Sequence, residues 1–280
     1  MDCHLQATYL LIGRPLYLNQ KKVKKMTSNS NKVALVTGGS RGLGRDMAIQ
    51  LAKKNFDVII TYNSNNEAAN KVLEDVKAVG KKAIALQLDV TKSRSFDAFI
   101  SQVKEKLIRD FGTNQIHSLV NNAGTGLYAP FDSTTEEQFD DMVNIHLKSA
   151  FFLTQKMLPI LCDGGSIINI SSGLARFSNS NYSAYAIMKA AIESLTRYQA
   201  LELGSRKIRV NTVAPGAIAT DFAGGFVRDS KEVNDMIASG TSLGRVGLPD
   251  DIGSVVAFLC SEDAKWVNAQ RIEVSGGFYI

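Results

Sequence analysis

A tyrosine, a lysine and a serine have the types and the spacing needed to move a proton to or from an oxygen atom. Tyr185 and Lys189 are four residues apart in a stretch with helical periodicity, so they share one helix face. A nearby ammonium stabilises a phenolate and lowers the tyrosine pKa from its usual value of about 10. Ser172 can hydrogen-bond the same substrate oxygen and stabilise its developing charge. These residues predict general acid/base chemistry on a carbonyl or a secondary alcohol.

The tyrosine–lysine pair has a second interpretation when it is considered by itself. A Tyr-x-x-x-Lys spacing is common, and it also describes an ordinary pair on an exposed helix surface. Tyr182 competes for the same role, but Ala186 stands four residues after it, so Tyr182 has no lysine partner. Other motifs must therefore decide between a reactive pair and a surface pair.

A glycine-rich turn between a predicted strand and a predicted helix has the features of a phosphate-binding loop. Unpaired N–H groups and the positive end of the helix dipole bind phosphate, and glycine lets the backbone approach it closely. The spacing is G-x-x-x-G-x-G rather than the common G-x-G-x-x-G, and a plain strand-to-helix turn can look similar. The turn reads Thr37-Gly38-Gly39-Ser40-Arg41-Gly42-Leu43-Gly44.

The residues after the second predicted strand favour one dinucleotide over another. An NAD site usually has an acidic residue there, to bond the ribose 2′-hydroxyl. Here the strand is followed by Asn63 and Ser64, and Arg41 in the glycine turn can pair with a 2′-phosphate. Arg41 can equally be a solvent-facing loop residue. The pattern favours NADP(H) over NAD(H).

Strands and helices alternate along the chain, and they bring these motifs to the ends of strands. Periodicity predicts strands at residues 33–36, 58–62, 83–88, 116–120, 166–170, 208–213 and 271–274. It predicts helices at residues 45–54, 67–79, 95–111, 135–158, 183–203, 231–239 and 249–260. This order predicts an α/β fold, a Rossmann-type doubly wound parallel sheet with helices on both faces. We predict a single domain over residues 31–280, after a disordered N-terminal extension of residues 1–30; alternatively, translation starts at Met26.

Composition limits the classes of protein that this chain can belong to. Its 280 residues are 45% hydrophobic and 21% charged, which is typical of a globular protein. Three distant cysteines and three scattered histidines predict neither disulfides nor a metal site, and they fit a cytoplasmic location. No apolar run reaches about 18 residues, so no membrane partner is expected. The net charge of +5, with a basic cluster at residues 21–25, is interpreted as surface charge rather than as a nucleic-acid site.

The ordered motifs from about residue 32 to residue 277 resemble those of the classical short-chain dehydrogenases/reductases. Among these, the chain is similar to 3-oxoacyl-[acyl-carrier-protein] reductases and to sugar and carbonyl reductases. Ser172 and Tyr185 are thirteen residues apart, which is the usual family spacing. Besides the glycine turn and the Ser–Tyr–Lys set, the matching motifs are Asp89-Val90, Asn121-Asn122-Ala123-Gly124, Pro215-Gly216 with Ile218 and Thr220, and Gly276-Gly277.

The resemblance implies a role for each matching residue. Tyr185 is the general acid/base, Lys189 lowers its pKa and holds the nicotinamide ribose, and Ser172 orients the substrate oxygen. Asp89 and Val90 contact the adenine, Asn122 the adenosine side, and Ile218 and Thr220 the carboxamide. The family is usually tetrameric, with the long helices before and after the serine strand between subunits. The predicted cofactor-binding residues are Gly38, Ser40, Arg41, Gly42, Leu43, Gly44, Asn63, Asp89, Val90, Asn122, Ala123, Gly124, Tyr185, Lys189, Pro215, Gly216, Ile218 and Thr220.

Two departures from the family pattern affect the interpretation. His146 stands where the family has a catalytic asparagine, while Asn144 is two residues away and faces elsewhere on a helix. The ring of His146 can join the proton relay, because its usual pKa lies near neutrality, or it can simply pack locally. Ser275 replaces a common acidic residue. The main hypothesis is an NADP(H)-dependent oxidoreductase with an apolar lid over residues 220–239; the alternative is a cofactor-binding regulatory protein with little turnover.

Overall fold

Seven strands form one sheet in the computed structural model, which describes residues 32–280. The strands are β1 (Lys32–Val36), β2 (Phe56–Tyr62), β3 (Ala83–Gln87), β4 (Ile116–Asn121), β5 (Leu161–Ile170), β6 (Arg209–Pro215) and β7 (Arg271–Val274). Their order across the sheet is β3-β2-β1-β4-β5-β6-β7, and all neighbouring pairs are parallel. The chain leaves β3 at one edge and returns as β4 beside β1. This reversal opens a crevice at the carboxyl ends of β1 and β4, where such sheets bind ligands.

Nine α-helices connect the strands or follow them within residues 32–280. They are α1 (Gly42–Lys53), α2 (Asn66–Ala78), α3 (Phe96–Lys106), α4 (Glu136–Met142), α5 (Ser149–Met157), α6 (Ser183–Glu202), α7 (Phe226–Asp229), α8 (Lys231–Ser239) and α9 (Pro249–Cys260). Thr135 caps α4 in a reciprocal capping box with Gln138. Of the described helices, none is long and apolar enough to cross a membrane. The predicted doubly wound sheet is confirmed.

Two hydrophobic cores lie on opposite faces of the sheet. One contains Met47 and Leu51 of α1 with Val256 of α9, and the other contains Phe99 of α3 with Leu153 of α5. Because helices cover both faces, the central strands are apolar on both sides, which explains their continuous runs of aliphatic residues.

One predicted helix differs from the structure, and several predictions lie outside the described residues. The predicted helix at residues 135–158 is interrupted, because residues 143–148 form a wider π-helical stretch between α4 and α5. The predictions for residues 1–30, for the start at Met26 and for the basic cluster at residues 21–25 lie outside the described residues.

Candidate active site

A cavity of about 800 Å³ opens at the carboxyl ends of the strands, next to the β1–β4 reversal. This volume is within the range of ligand-binding pockets, about 300–1,000 Å³. All the predicted catalytic and cofactor-binding residues line it: Gly38, Ser40, Arg41, Gly42, Leu43, Gly44, Asn63, Asp89, Val90, Asn122, Ala123, Gly124, His146, Ser172, Tyr185, Lys189, Pro215, Gly216, Ile218 and Thr220. The structure thus brings the predicted residues together, while their individual roles stay predictions.

The glycine turn is anchored to the neighbouring strand, and its Gly38 and Gly44 have no room for a Cβ. The N–H of Gly38 donates to Oγ1 of Thr61 over 3.2 Å, and the N–H of Gly39 donates to the Thr61 carbonyl over 2.8 Å. Gly38 and Gly42 have φ angles of 63° and 53°, a region that favours glycine. A Cβ on Gly44 would collide with the Gly38 carbonyl oxygen. The turn is therefore a fixed backbone surface at the start of α1.

The start of α1 suits an anion. Its N-cap residue, Arg41, makes no side-chain hydrogen bond to the helix, and the first turn contains no acidic residue. The Arg41 side chain lines the cavity and forms no ion pair with any residue of the described range 32–280, whereas Arg45 pairs with Asp75 at 2.9 Å. The cavity wall after β2 carries Asn63 and Ser64 in place of a carboxylate. These groups fit the phosphates of a dinucleotide, including a 2′-phosphate.

Asn122 and Thr37 hold the turn against the end of β4. The side-chain amide of Asn122 donates to the carbonyls of Thr37 (2.8 Å) and Gly38 (3.2 Å). The N–H groups of Asn122 and Ala123 both donate to the Thr37 hydroxyl. The amide hydrogens of Asn122 are thus already used within the protein. Its position fixes the shape of the turn; the predicted contact with the adenosine side stays a prediction.

Tyr185 and Lys189 lie on the buried face of α6, beside the end of β5. Tyr185 is 8% exposed and Lys189 is 5% exposed. The Lys189 ammonium donates to the Ile170 carbonyl over 2.8 Å, and Nζ lies 5.4 Å from the centre of the Tyr185 ring. Ser172 follows β5 by two residues, and its Oγ accepts the N–H of Leu174. The surface-pair interpretation of Tyr185 and Lys189 is therefore excluded.

Burial dominates the protonation of this pair. It raises the pKa of Tyr185 above the usual tyrosine value, while the Ser172 hydroxyl partly offsets that rise. Burial also lowers the pKa of Lys189 to about 7. Lys189 is expected to lower the Tyr185 pKa, but the net shift of this pKa is upward. Burial thus makes the Tyr185 phenol a weaker acid than an exposed tyrosine, because its pKa is raised.

His146 lies in the π-helical stretch at residues 143–148 and is 3% exposed. Its Nε2–H donates to the Thr125 carbonyl over 2.8 Å, and its ring meets the Tyr185 ring edge-on at 5.2 Å. Nδ1 is buried and has no hydrogen-bond partner among residues 32–280. Burial, helped by the charge of Lys189, lowers the His146 pKa to about 3. This pKa lies well below neutrality, and whether His146 takes part in a proton relay stays a prediction.

A second, small cavity is lined by His146. It measures about 10 Å³, close to the minimum for one water molecule, and Lys189, Ser149 and Asn121 also line it. Asn144 lines neither cavity, as its position in the sequence predicted. Within residues 32–280, no three His, Cys, Asp or Glu side chains are grouped closely enough to hold a metal ion.

Aromatic and aliphatic side chains cover the other half of the cavity. The predicted lid folds as α7, α8 and the turn before them, and the Phe222 ring lies 6.0 Å from the Tyr185 ring. Phe177, Phe278 and Tyr279 also line the cavity, and the sequence did not predict them as site residues. No local motif marks these three residues, because they meet only in the folded chain. Gly39 belongs to the predicted glycine turn but does not line the cavity; a Cβ there would lie 2.6 Å from the Ile60 Cβ.

Comparison with known proteins places the chain among the short-chain dehydrogenases/reductases, a class of oxidoreductases. The family described as "Enoyl-(Acyl carrier protein) reductase" matches residues 38–279, and the chain belongs to this family.

Two curated relatives and two solved structures illustrate the similarity. The hydroxynaphthalene reductase-like protein Arp2 of Metarhizium brunneum is 38% identical over 261 residues, covering 89% of this chain and 96% of that protein. The hydroxynaphthalene reductase arp2 of Aspergillus fumigatus is 36% identical, with 86% and 90% covered. The angucycline C-6 ketoreductase LanV, solved with bound NADP, is 35% identical with a TM-score of 0.84, covering 89% and 96%. The promiscuous reductase LugOII, which catalyses keto-reduction at C1, is 34% identical with a TM-score of 0.84, covering 89% and 98%.

Proposed function

We propose that the protein is an NADPH-dependent reductase that converts a ketone into a secondary alcohol. The observation that carries this proposal is the buried Tyr185, which lies beside Lys189 and lines the same cavity as Ser172 and the glycine turn. Relatives of this chain are named as reductases and as a ketoreductase, which supports the direction in which a ketone is reduced. We therefore assign reduction rather than oxidation as the working direction.

We propose NADP(H) rather than NAD(H) as the cofactor. The N-terminus of α1 and Arg41 provide positive charge for phosphates, and no carboxylate follows β2 to bond a ribose 2′-hydroxyl. A relative of known structure, LanV, is described with bound NADP. When bound, NADPH supplies the hydride that reduces the carbonyl carbon. Ile218 and Thr220 line the cavity where the carboxamide would bind.

The chain's own residues then handle the oxygen and the proton. The Ser172 hydroxyl donates a hydrogen bond to the ketone oxygen and stabilises the charge that develops on it. The Tyr185 hydroxyl transfers its proton to that oxygen, so the product leaves as the neutral alcohol. Lys189, held by the Ile170 carbonyl, stabilises the tyrosinate that remains, and a proton from solvent restores the phenol.

We propose that the ketone belongs to a flat, fused-ring aromatic molecule. The substrate half of the cavity is lined by aromatic rings and flexible aliphatic side chains, which bind flat apolar faces well. These residues are Phe177, Tyr182, Phe222, Phe226, Met236, Phe278 and Tyr279. Relatives named as hydroxynaphthalene reductases have a fused two-ring aromatic in their names.

We also propose that the protein works as a cytoplasmic homotetramer. Large apolar side chains stand exposed on the two helices that the family resemblance places between subunits, Phe151 on α5 and Ile187, Tyr198 and Leu201 on α6. Exposed apolar patches of this kind favour association between subunits. Sedimentation of the purified protein tests the assembly, and a monomer would contradict it.

The test of the activity is NADPH oxidation with a panel of one-, two- and three-ring ketones. We expect turnover with wild type, and a loss of about a thousand-fold or more in Tyr185→Phe, because a positioned general acid contributes about 10²–10⁴-fold. Tyr198→Phe is the matched control, because Tyr198 is on the same helix, 63% exposed and outside the cavity. Equal rates in wild type and Tyr185→Phe would remove Tyr185 from the mechanism. Tight NADPH binding without turnover on any ketone would favour the regulatory alternative.

A further inference from the structure

Arg176, four residues after Ser172, binds the segment that follows β7. Its guanidinium makes a forked pair with Glu273, with Nε and Nη2 each 2.8 Å from a carboxylate oxygen. The same guanidinium donates to the carbonyls of Tyr279 (2.8 Å) and Phe278 (3.0 Å). A planar guanidinium that hydrogen-bonds one carboxylate and two carbonyls at once fixes the orientation of these groups as well as their distances. We call Arg176 and Glu273 the arginine clamp.

The segment after β7 that Arg176 binds, residues 275–280, forms one wall of the substrate half of the cavity. The rings of Phe278 and Tyr279 line the cavity and lie 5.5 and 5.2 Å from the Phe177 ring. Tyr279 has a φ of 50°, a left-handed conformation that a bulky residue keeps only when its surroundings hold it. Arg176 itself does not line the cavity, so any effect that it has on a ligand passes through these rings.

The segment also touches the residues that directly follow the lid. The N–H of Leu243 donates to the Gly276 carbonyl over 3.1 Å, and the Ser242 hydroxyl donates to the Gly277 carbonyl over 3.0 Å. Gly240, directly after α8, packs closely on Phe278, because a Cβ there would lie 3.2 Å from that ring. The arginine clamp therefore connects the loop after Ser172 with the base of the lid helix α8.

A chain of alternating charges continues from the arginine clamp to the catalytic helix. Glu273 also binds Arg271 (2.9 Å), and Arg271 binds Glu193 of α6 (2.6 Å). Glu193 accepts from the Ser171 hydroxyl, which also bonds the Lys189 carbonyl. The pairs are partly shielded, with side chains of 15–24% exposure for Arg271, Glu193 and Glu273. A shielded network holds its geometry better than an isolated surface pair.

We propose that Arg176 is a positioning residue that fixes the aromatic wall of Phe177, Phe278 and Tyr279, and so sets the size of the ketone that the protein accepts. This inference rests on the proposed ketone reduction. A small ketone can reach Ser172 and Tyr185 without touching the wall. A three-ring ketone must lie against it, so its binding depends on the clamp.

The test compares Arg176→Gln with Arg206→Gln. Arg206 is a matched control, because it also binds one carboxylate, Asp163, and two backbone carbonyls, and it lies outside the cavity. For Arg176→Gln we expect the KM of a three-ring ketone to rise about ten-fold, with little change in kcat, in the KM of a one-ring ketone or in the Kd of NADPH. Glu273→Gln should show the same pattern, and Arg206→Gln should match wild type in all four quantities.

A second measurement reports on the mobility of the aromatic wall and does not depend on enzymatic turnover. Hydrogen–deuterium exchange of the peptide covering residues 275–280 should be faster in Arg176→Gln and unchanged in Arg206→Gln. Equal KM changes for both ketones, or unchanged exchange in residues 275–280, would overturn the proposal. If wild type reduces no ketone, the proposed function fails; the Kd of the three-ring ketone in the presence of NADP⁺ then decides whether Arg176 positions the wall.

Discussion

The two halves of the cavity are built in different ways. The cofactor half is made of backbone: the turn at Gly38 and Gly44 is tied to Thr61 and Asn122 by main-chain and short polar contacts. The substrate half is made of side chains that come from distant parts of the chain, such as Phe177, Phe222 and Phe278. Backbone geometry tolerates few residue types, whereas a packed aromatic wall can be rebuilt with other apolar residues. The cofactor should therefore be the constant part of the activity and the ketone the variable part.

Among the substitutions that test this difference between the two halves, we expect the largest effect on binding at Arg41. In Arg41→Gln the Kd of NADPH should rise about 10- to 100-fold, since a hydrogen bond to a charged group contributes about 1.5–3 kcal/mol. The Kd of NADH should stay within about two-fold, because NADH lacks the 2′-phosphate that Arg41 would bind. Calorimetric titration with each cofactor measures both values.

Arg45→Gln is the control for this prediction. Arg45 is in the next turn of α1, already pairs with Asp75, and does not line the cavity. We expect its affinity for NADPH to equal that of wild type. An equal loss of NADH and NADPH affinity in Arg41→Gln would mean that Arg41 shapes the turn instead of recognising a phosphate.

The same contrast explains how much the sequence could predict. All seven strands were predicted, because a strand buried on both faces needs a continuous run of apolar residues; the first five residues of β5, Leu161–Gly165, were missed. The glycine turn and the Tyr185–Lys189 pair were found because each is a local spacing. Arg176 and Phe278 are 102 positions apart, so no local pattern connects them. The π-helical stretch at residues 143–148 was missed, because the apolar periodicity of the sequence does not separate a π-helical turn from an α-helical one.

His146 lines the cavity beside Tyr185. The next largest effect is the one that its burial has on the pH dependence of the free energy of unfolding. Its pKa is lowered from 6.5 to about 3 in the folded protein. Between these pH values the unfolded chain binds a proton at this ring and the folded chain does not. The free energy of unfolding should therefore fall as the pH falls through this window, by about 1.4 kcal/mol per pH unit from this group.

His146→Asn should remove that slope. Urea unfolding at pH 5.5 and 4.5 should show wild type losing about 1.4 kcal/mol more than the variant. Above pH 7 both side chains are neutral, so the two stability curves should run parallel there, which serves as the internal control. Parallel curves below pH 6 as well would show that the His146 ring takes up its proton in the folded protein.

The smallest effect is expected at Phe222, in the lid over Tyr185. In Phe222→Ala the KM of a three-ring ketone should rise about five-fold, since one lost aromatic contact amounts to about 1 kcal/mol. The Kd of NADPH should not change, because the cofactor is predicted to bind the backbone of the glycine turn and not this ring. Steady-state kinetics and titration on the same preparation measure both. Phe131→Ala is the control, because Phe131 is 85% exposed and outside the cavity. A parallel loss of NADPH affinity in Phe222→Ala would mean that the lid closes over both ligands, and the two halves would then act as one site.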